Sequence, residues 1–120
     1  MLTELELKSL KTEVQVLAAM DHPNIIRLYE FYDTQYNYCL VTEICKGGEL
    51  FQQMSANKAG HSEKDVQILT MRMLNAMNYY MQKGVVHRDL KPQNIMLEAD
   101  LDFNKMKLID FGNATRFKKG

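Results

Sequence analysis

Leu5, Leu10, Val14 and Leu17 return to one side of a 3.6-residue helix, and this spacing predicts an amphipathic helix from the start of the chain to about Met20. The tetrapeptide Asp21-His22-Pro23-Asn24 ends it, because a proline ring cannot continue the helical hydrogen-bond ladder. Two β-branched and aromatic runs, residues 25–32 and 38–44, flank a polar stretch and predict an antiparallel strand pair. Gly47-Gly48 then punctuates the chain, and a short helix is expected around Glu49 to Asn57. Ser62, with Asp65 three positions on, marks the start of a longer helix whose stripe of Val66, Leu69, Met73, Met77 and Met81 runs toward Gly84. Beyond it, residues 84–87, 94–98 and 105–110 are short apolar runs that read as strands, with the polar residues 99–104 turning between the last two.

Helices and short strands mixed in this way predict an α+β fold, and 120 residues allow one modest core. The methionines of the long helix are expected to be adaptable core filler. With 15 basic and 15 acidic residues the chain has no general attraction to nucleic acid or to an anionic membrane, and neither is expected as a partner. Cys39 and Cys45 lack the spacing of a metal site or a redox pair; both are expected to be buried thiols in a reducing compartment. No apolar run is long enough to span a bilayer, and the first ten residues are amphipathic where a signal peptide would be continuously apolar. A cytoplasmic location is the resulting expectation. His22 is assigned to a structural turn and His61 to a solvated loop.

The chemistry concentrates in the stretch VHRDLKPQN, residues 86–94, which places His87, Arg88, Asp89, Lys91 and Asn94 within eight positions, with Pro92 stiffening the backbone between them. A carboxylate, an ammonium and a side-chain amide converging there supply a proton acceptor, a positive charge for a phosphate oxygen and a neutral oxygen ligand for a hard cation. Asp110 ends an apolar run beside Phe111 and Gly112, where glycine permits a backbone conformation that other residues resist. Asn94 and Asp110 therefore form a candidate pair of oxygen ligands for Mg²⁺, which takes one or two protein ligands and completes its shell with water and phosphate oxygens.

His-Arg-Asp, an Asn five positions after the Asp, and a later Asp-Phe-Gly together resemble the catalytic loop and metal-binding motif of a eukaryotic protein kinase. The resemblance extends along the chain: Glu13 lies in LKTEVQVL, DHPNIIRLYE is similar to the segment after the kinase regulatory helix, and LVTEICKGGELF is similar to the fifth strand, the hinge and the next helix. Lys91, two residues after Asp89, resembles the serine/threonine kinases, and the HPNIIRLYE and GGELF wording is most similar to calcium/calmodulin-dependent and calcium-dependent kinases. The implied architecture is a partial bilobal kinase domain. Residues 1–42 would be an incomplete N-lobe with the regulatory helix and two strands, 43–48 the hinge, and 49–120 an incomplete, initially helical C-lobe with the catalytic-loop hairpins.

The implied activity is ATP-dependent transfer of phosphate to Ser or Thr of a protein substrate, with Mg²⁺. On that resemblance Asp89 orients the acceptor hydroxyl and takes its proton, Lys91 steadies the γ-phosphate, and Asn94 and Asp110 hold Mg²⁺. Glu43 and Cys45 offer hinge backbone to adenine, Thr42 controls access behind it, Glu49 reaches the ribose or starts a helix, and Met96 with Leu40 or Val41 forms apolar surface near the purine. His87 and Phe111 stack with Leu17 in a packed column, Gly112 completes the metal-binding turn, and Arg88 resembles the arginine that pairs with an activation-loop phosphate. Any calcium or calmodulin regulation is expected to act through regions outside these motifs.

Glu13 shares a helical face with Leu10 and Leu17, where a buried charge needs a partner. The family supplies a strand lysine preceded by a glycine-rich loop, and neither motif occurs in these residues. The expectation is a kinase fragment inactive by itself and, with a strand edge open, prone to self-association. A kinase-like binding or regulatory module is the alternative, and a metal phosphohydrolase using Asp89 and Asp110 ranks last.

Overall fold

In the computed structural model, which describes residues 2–57 and 60–117, the first helix, α1 (Glu4–Ala18), begins on a reciprocal cap. Thr3 Oγ1 accepts the Glu6 N–H at 3.1 Å, and the Glu6 carboxylate accepts the Thr3 N–H at 2.7 Å. Hydrogen bonding from Thr3, its backbone N–H first, favours the ionised carboxylate and lowers the Glu6 pKa. Val16 and Leu17 enter the core, Leu10 and Val14 are half-buried, and Leu5 is 76% exposed. The apolar stripe read from the sequence is thus a core face only toward the C-terminal end, because no described element covers Leu5.

The chain then turns through residues 21–24, and Ile25 makes a parallel bridge to Leu108 that buries Ile25 and Ile26. This corrects the expected start of the first strand: residues 25–26 are drawn to a different sheet, and β1 runs over Leu28–Asp33. It pairs antiparallel with β2 (Tyr38–Thr42), with an irregularity between Leu28 and Glu30. Among the described residues β2 has β1 as its one strand neighbour. Cys45 is buried as expected, but Cys39 is exposed. The correction follows from the ribbon, whose residues are mostly open to solvent on both faces.

A short strand, β3 (Gly48–Glu49), leads into α2 (Leu50–Ala56). The long helix α3 (Glu63–Gln82) starts where Ser62 Oγ accepts the Asp65 N–H at 3.1 Å. Its buried residues are Ala76 and Tyr80, flanked by Leu69, Met73 and Met77, while Val66 and Met81 stay 51% and 44% exposed. Stepping by four on a helix of 3.6 residues per turn carries Met81 off the buried face, and no described element covers Val66 in the first turn. Gly84, at φ +77°, ends the helix by donating its N–H to the Met81 carbonyl at 2.9 Å.

Three strands follow where the sequence placed them. β4 (Val85–Val86) precedes the catalytic-type loop, and β5 (Ile95–Leu97) and β6 (Met106–Leu108) form a hairpin in which Ile95 faces Leu108 and Leu97 faces Met106. β3 adds to β5, giving a three-stranded antiparallel sheet. A fourth strand was not expected: β7 (Thr115–Arg116) pairs antiparallel with β4. The core is one cluster in which Tyr80, Phe111, Ile25, Leu97, Met106 and Leu108 are among the largest fully buried side chains. His61, expected in a solvated loop, is half-buried with its ring edge against Phe103 at 5.4 Å. No helix among the described residues is long and apolar enough to cross a membrane.

Candidate active site

The loop between β4 and β5 is held by its own side chains. Arg88 sits at φ +69°, a conformation L-residues resist, and its Nε–H donates to the Asn113 carbonyl at 2.7 Å, an anchor that offsets the strain. Pro92 starts a 3-10 turn, Pro92–Asn94, that delivers Asn94 to the head of β5. The Asn94 amide nitrogen then donates to both the Asp89 carbonyl (2.9 Å) and Asp89 Oδ2 (3.0 Å). Lys91 Nζ lies 3.4 Å from Asp89 Oδ1. Burial alone would raise the Asp89 pKa; the donations from Asn94 and Asn113 and the Lys91 charge outweigh it, so the carboxyl lies below its ordinary value and is ionised at neutral pH.

Asp110 reaches the same end of the sheet because β6 continues past Leu108, where the Ile109 N–H donates to the Asn94 carbonyl at 3.1 Å. Asp110 Oδ1 accepts the Gly112 N–H at 3.0 Å. A Cβ on Gly112 would lie 3.1 Å from Ser9 Oγ and 3.2 Å from Asp110 Oδ1, so these side chains would have to give way slightly. The Gly112 φ is not in the left-handed region, which corrects the expectation that this turn draws on glycine's backbone freedom. Ser9 Oγ–H donates to the Gly112 carbonyl at 2.7 Å, tying α1 to the turn.

Among the described residues Asn94 Oδ1 and Asp110 Oδ2 take no hydrogen bond, so each can serve as an oxygen ligand for a hard cation. No group of three or more His, Cys, Asp or Glu among the described residues could hold a metal. That donor set suits Mg²⁺, which keeps water and phosphate oxygens in its shell, and does not suit a metal caged by protein alone.

Glu13 lies on the α1 side of this turn, its Oε2 within 3.9 Å of the same Gly112 Cβ position. Burial, reinforced by the Asp110 charge, raises its pKa against a lowering bond from the Phe111 backbone. Behind the turn, the His87 and Phe111 rings meet edge-on at 4.7 Å, and Tyr80, a third member that the sequence did not single out, stands 5.9 Å from Phe111. Leu17 belongs to the same buried cluster. Burial lowers the His87 pKa, with Asp110 and Asp89 pulling in the opposite direction.

The segment linking β2 to β3 is fixed from below. Glu43 accepts the Arg27 N–H at 2.9 Å, and its carboxylate lies 3.3 Å from the buried Lys107 Nζ on β6. The Glu43 carbonyl accepts the Thr42 hydroxyl at 3.2 Å, and the Cys45 N–H has no partner among the described residues. Burial, then the Glu43 charge, raises the Cys45 thiol pKa, so this sulfur stays protonated. Glu49 faces Met96 across β3 and β5; it stands at the N-cap of α2 without making a side-chain cap, and both residues are half-buried. Leu40 is half-buried and Val41 exposed, which leaves Leu40 as the inward member of that pair. Sequence reasoning missed Ser9, Tyr80, Lys107 and Asn113, whose partners are distant in the chain.

The protein kinase domain family matches residues 2–120. Sperm motility kinase 3A of Mus musculus is 46% identical over 110 residues, covering 91% of this chain and 21% of that protein. Calcium-dependent protein kinase 5 of Plasmodium berghei (strain Anka) is 37% identical over 92% of this chain and 19% of its own length. Calcium/calmodulin-dependent serine/threonine-protein kinase 1 of Oryza sativa subsp. japonica is 34% identical over 93% and 19% respectively. The chain spans about a fifth of the length of these relatives. Its α+β arrangement is that of part of a kinase domain, and the chain belongs to the protein kinase family, with calcium-dependent and calmodulin-dependent serine/threonine kinases among its relatives.

Proposed function

We propose that this chain carries the phosphoryl-transfer residues of an ATP-dependent serine/threonine protein kinase. The observation that carries the reading is the ionised Asp89 carboxylate, held by Asn94 and lying 3.4 Å from the Lys91 ammonium. Asp89 orients the Ser or Thr hydroxyl and takes its proton, and Lys91 places positive charge where the transferred phosphate passes. Catalysis of this kind is mostly positioning and charge neutralisation. Asn94 and Asp110 are the ligands for Mg²⁺, which when bound neutralises charge on the nucleotide phosphates. The Cys45 N–H and the Glu43 carbonyl are the hinge contacts for adenine, with Thr42 behind them, Leu40 and Met96 along the purine and Glu49 toward the ribose. In this reading residues 1–42 belong to the N-lobe, 43–48 to the hinge and 49–120 to the C-lobe.

The test uses the chain expressed with any flanking sequence its gene supplies, labelled ATP, Mg²⁺ and a degenerate peptide library. Label is expected on Ser and Thr, and Asp89→Asn should slow transfer by about 10²–10⁴, the range of general-base catalysis. Label confined to Tyr, or an Asp89→Asn variant as fast as wild type, would overturn the reading. A second reading is a kinase-like module that binds partners without transferring phosphate. Nucleotide binding without transfer in the same assay would support it.

A further inference from the structure

Asn113, directly after Gly112, reaches back to the catalytic loop: its amide nitrogen donates to Asp89 Oδ2 at 3.3 Å while its carbonyl accepts Arg88 Nε–H at 2.7 Å. The Asn94 amide donates to that same Oδ2 at 3.0 Å. A carboxylate oxygen offers about two lone-pair sites, so the two amides fill those of Oδ2. Oδ1 faces Lys91 Nζ at 3.4 Å and keeps a free site.

We propose that Asn113 is a positioning residue that ties off Asp89 Oδ2, leaving Oδ1, beside Lys91, as the oxygen open to the substrate hydroxyl. The proposal rests on Asp89 being the proton acceptor. An untethered aspartate turns about the bond to its carboxylate, a broad torsion, so the carboxylate plane and its free lone pairs have no fixed direction toward the substrate. Two donors on one oxygen remove that freedom. The hydroxyl is then steered to the side of the carboxylate where the ammonium stands, so proton acceptance and neutralisation of phosphate charge take place at neighbouring atoms.

Asn113 is itself fixed from two directions. Its carbonyl is held by the left-handed Arg88, and its neighbour Gly112 is held to α1 by the Ser9 hydroxyl at 2.7 Å. The orientation of Asp89 therefore depends on both the catalytic loop and the first helix, although α1 donates no hydrogen bond to Asp89.

Asn113→Ala removes the donor, and Asn113→Gln keeps an amide as the conservative variant. In the chain expressed with any flanking sequence its gene supplies, kcat is expected to fall about tenfold in Asn113→Ala with KM for ATP and peptide unchanged, the scale of one hydrogen bond to a charged group. Asn113→Gln should recover most of the loss. A second readout needs no activity: crystal structures should show the Asp89 carboxylate plane in one orientation in wild type and rotated or split between orientations in Asn113→Ala. An unchanged carboxylate plane together with an unchanged kcat overturns the role of Asn113 while leaving the kinase reading intact. A wild-type protein that transfers no phosphate removes the kinase reading and this role with it.

Discussion

The ribbon β1–β2 and the sheet β3–β5–β6 are made of the same kinds of residue and end in opposite environments. In the ribbon Tyr29, Tyr32 and Val41 are 59%, 49% and 41% exposed, whereas Leu97, Met106 and Leu108 in the sheet are sealed from solvent. The difference lies in neighbours. β6 has β5 on one edge and the Ile25 bridge on the other, while each ribbon strand has a single partner among the described residues. Strand-forming side chains do not themselves determine burial; the layers packed on them do. The proposed metal ligands follow this contrast, since Asn94 and Asp110 flank the ends of the two buried strands.

The largest test of the comparison is truncation on either side of it. Leu108→Ala should cost about 3–5 kcal/mol, a transfer term plus a cavity in a site with little room to collapse. Tyr32→Ala on the ribbon should cost under about 1 kcal/mol, as an exposed substitution. Denaturant titrations measure both, and equal losses would erase the distinction. Next in size is Lys107→Met, which leaves the Glu43 carboxylate, 19% exposed, without its cation. Breaking one partner of a buried pair costs about 3 kcal/mol, and adding Glu43→Gln should recover most of it. A negligible loss would mean that the ribbon end is not coupled to the sheet through this pair.

These two regions also show what could be read from the sequence. The helix start at Ser62 and the loop from His87 to Asn94 were legible because their hydrogen bonds span a few residues. Asn94 and Lys91 both meet Asp89 within that loop. Contacts that close over distance were not legible: Ser9 meets Gly112 across 103 positions, and Asn113 meets Asp89 across 24. The Glu43–Lys107 pair and the β4–β7 pairing are of the same kind. Exposure failed for a related reason. Cys39 and Leu5 have apolar patterns suited to a core, but burial depends on which other elements cover them.

A smaller effect should appear with pH, and it belongs to the buried side of the comparison. His87 is 1% exposed, and burial holds its pKa below the ordinary value of about 6.5. His22 is lowered in the same direction by burial and by the Lys107 charge. Below about pH 6.5 the unfolded chain binds protons that the folded chain refuses, so stability is full above that pH and declines as pH falls toward the folded values. The slope is at most about 1.4 kcal/mol per pH unit for each proton. Thermal melts from pH 7.5 to 5.5 should show the decline, and His87→Phe should flatten part of it. A melt independent of pH over this range would contradict the assignment of a neutral, buried His87.

The smallest expected effect tests the seam where α1 meets the turn after the sheet. Ser9 and Gly112 attract across that seam, but Glu13 and Asp110 repel, and burial adds to the cost of keeping Glu13 charged. Because its folded pKa is raised, the folded state favours the protonated group: that contribution is full below the unfolded value of about 4.5 and lost as pH rises through the folded one. Wherever the side chain is ionised it is therefore a liability. Glu13→Gln keeps the shape and removes the charge, and should raise stability by up to about 1 kcal/mol at pH 7, the scale of a partly exposed charge interaction. The gain should vanish near pH 4, where wild type is protonated as well. A lower melting temperature for Glu13→Gln at pH 7 would instead show that the carboxylate stabilises the fold, and the seam would have to be held by a cation paired with Glu13.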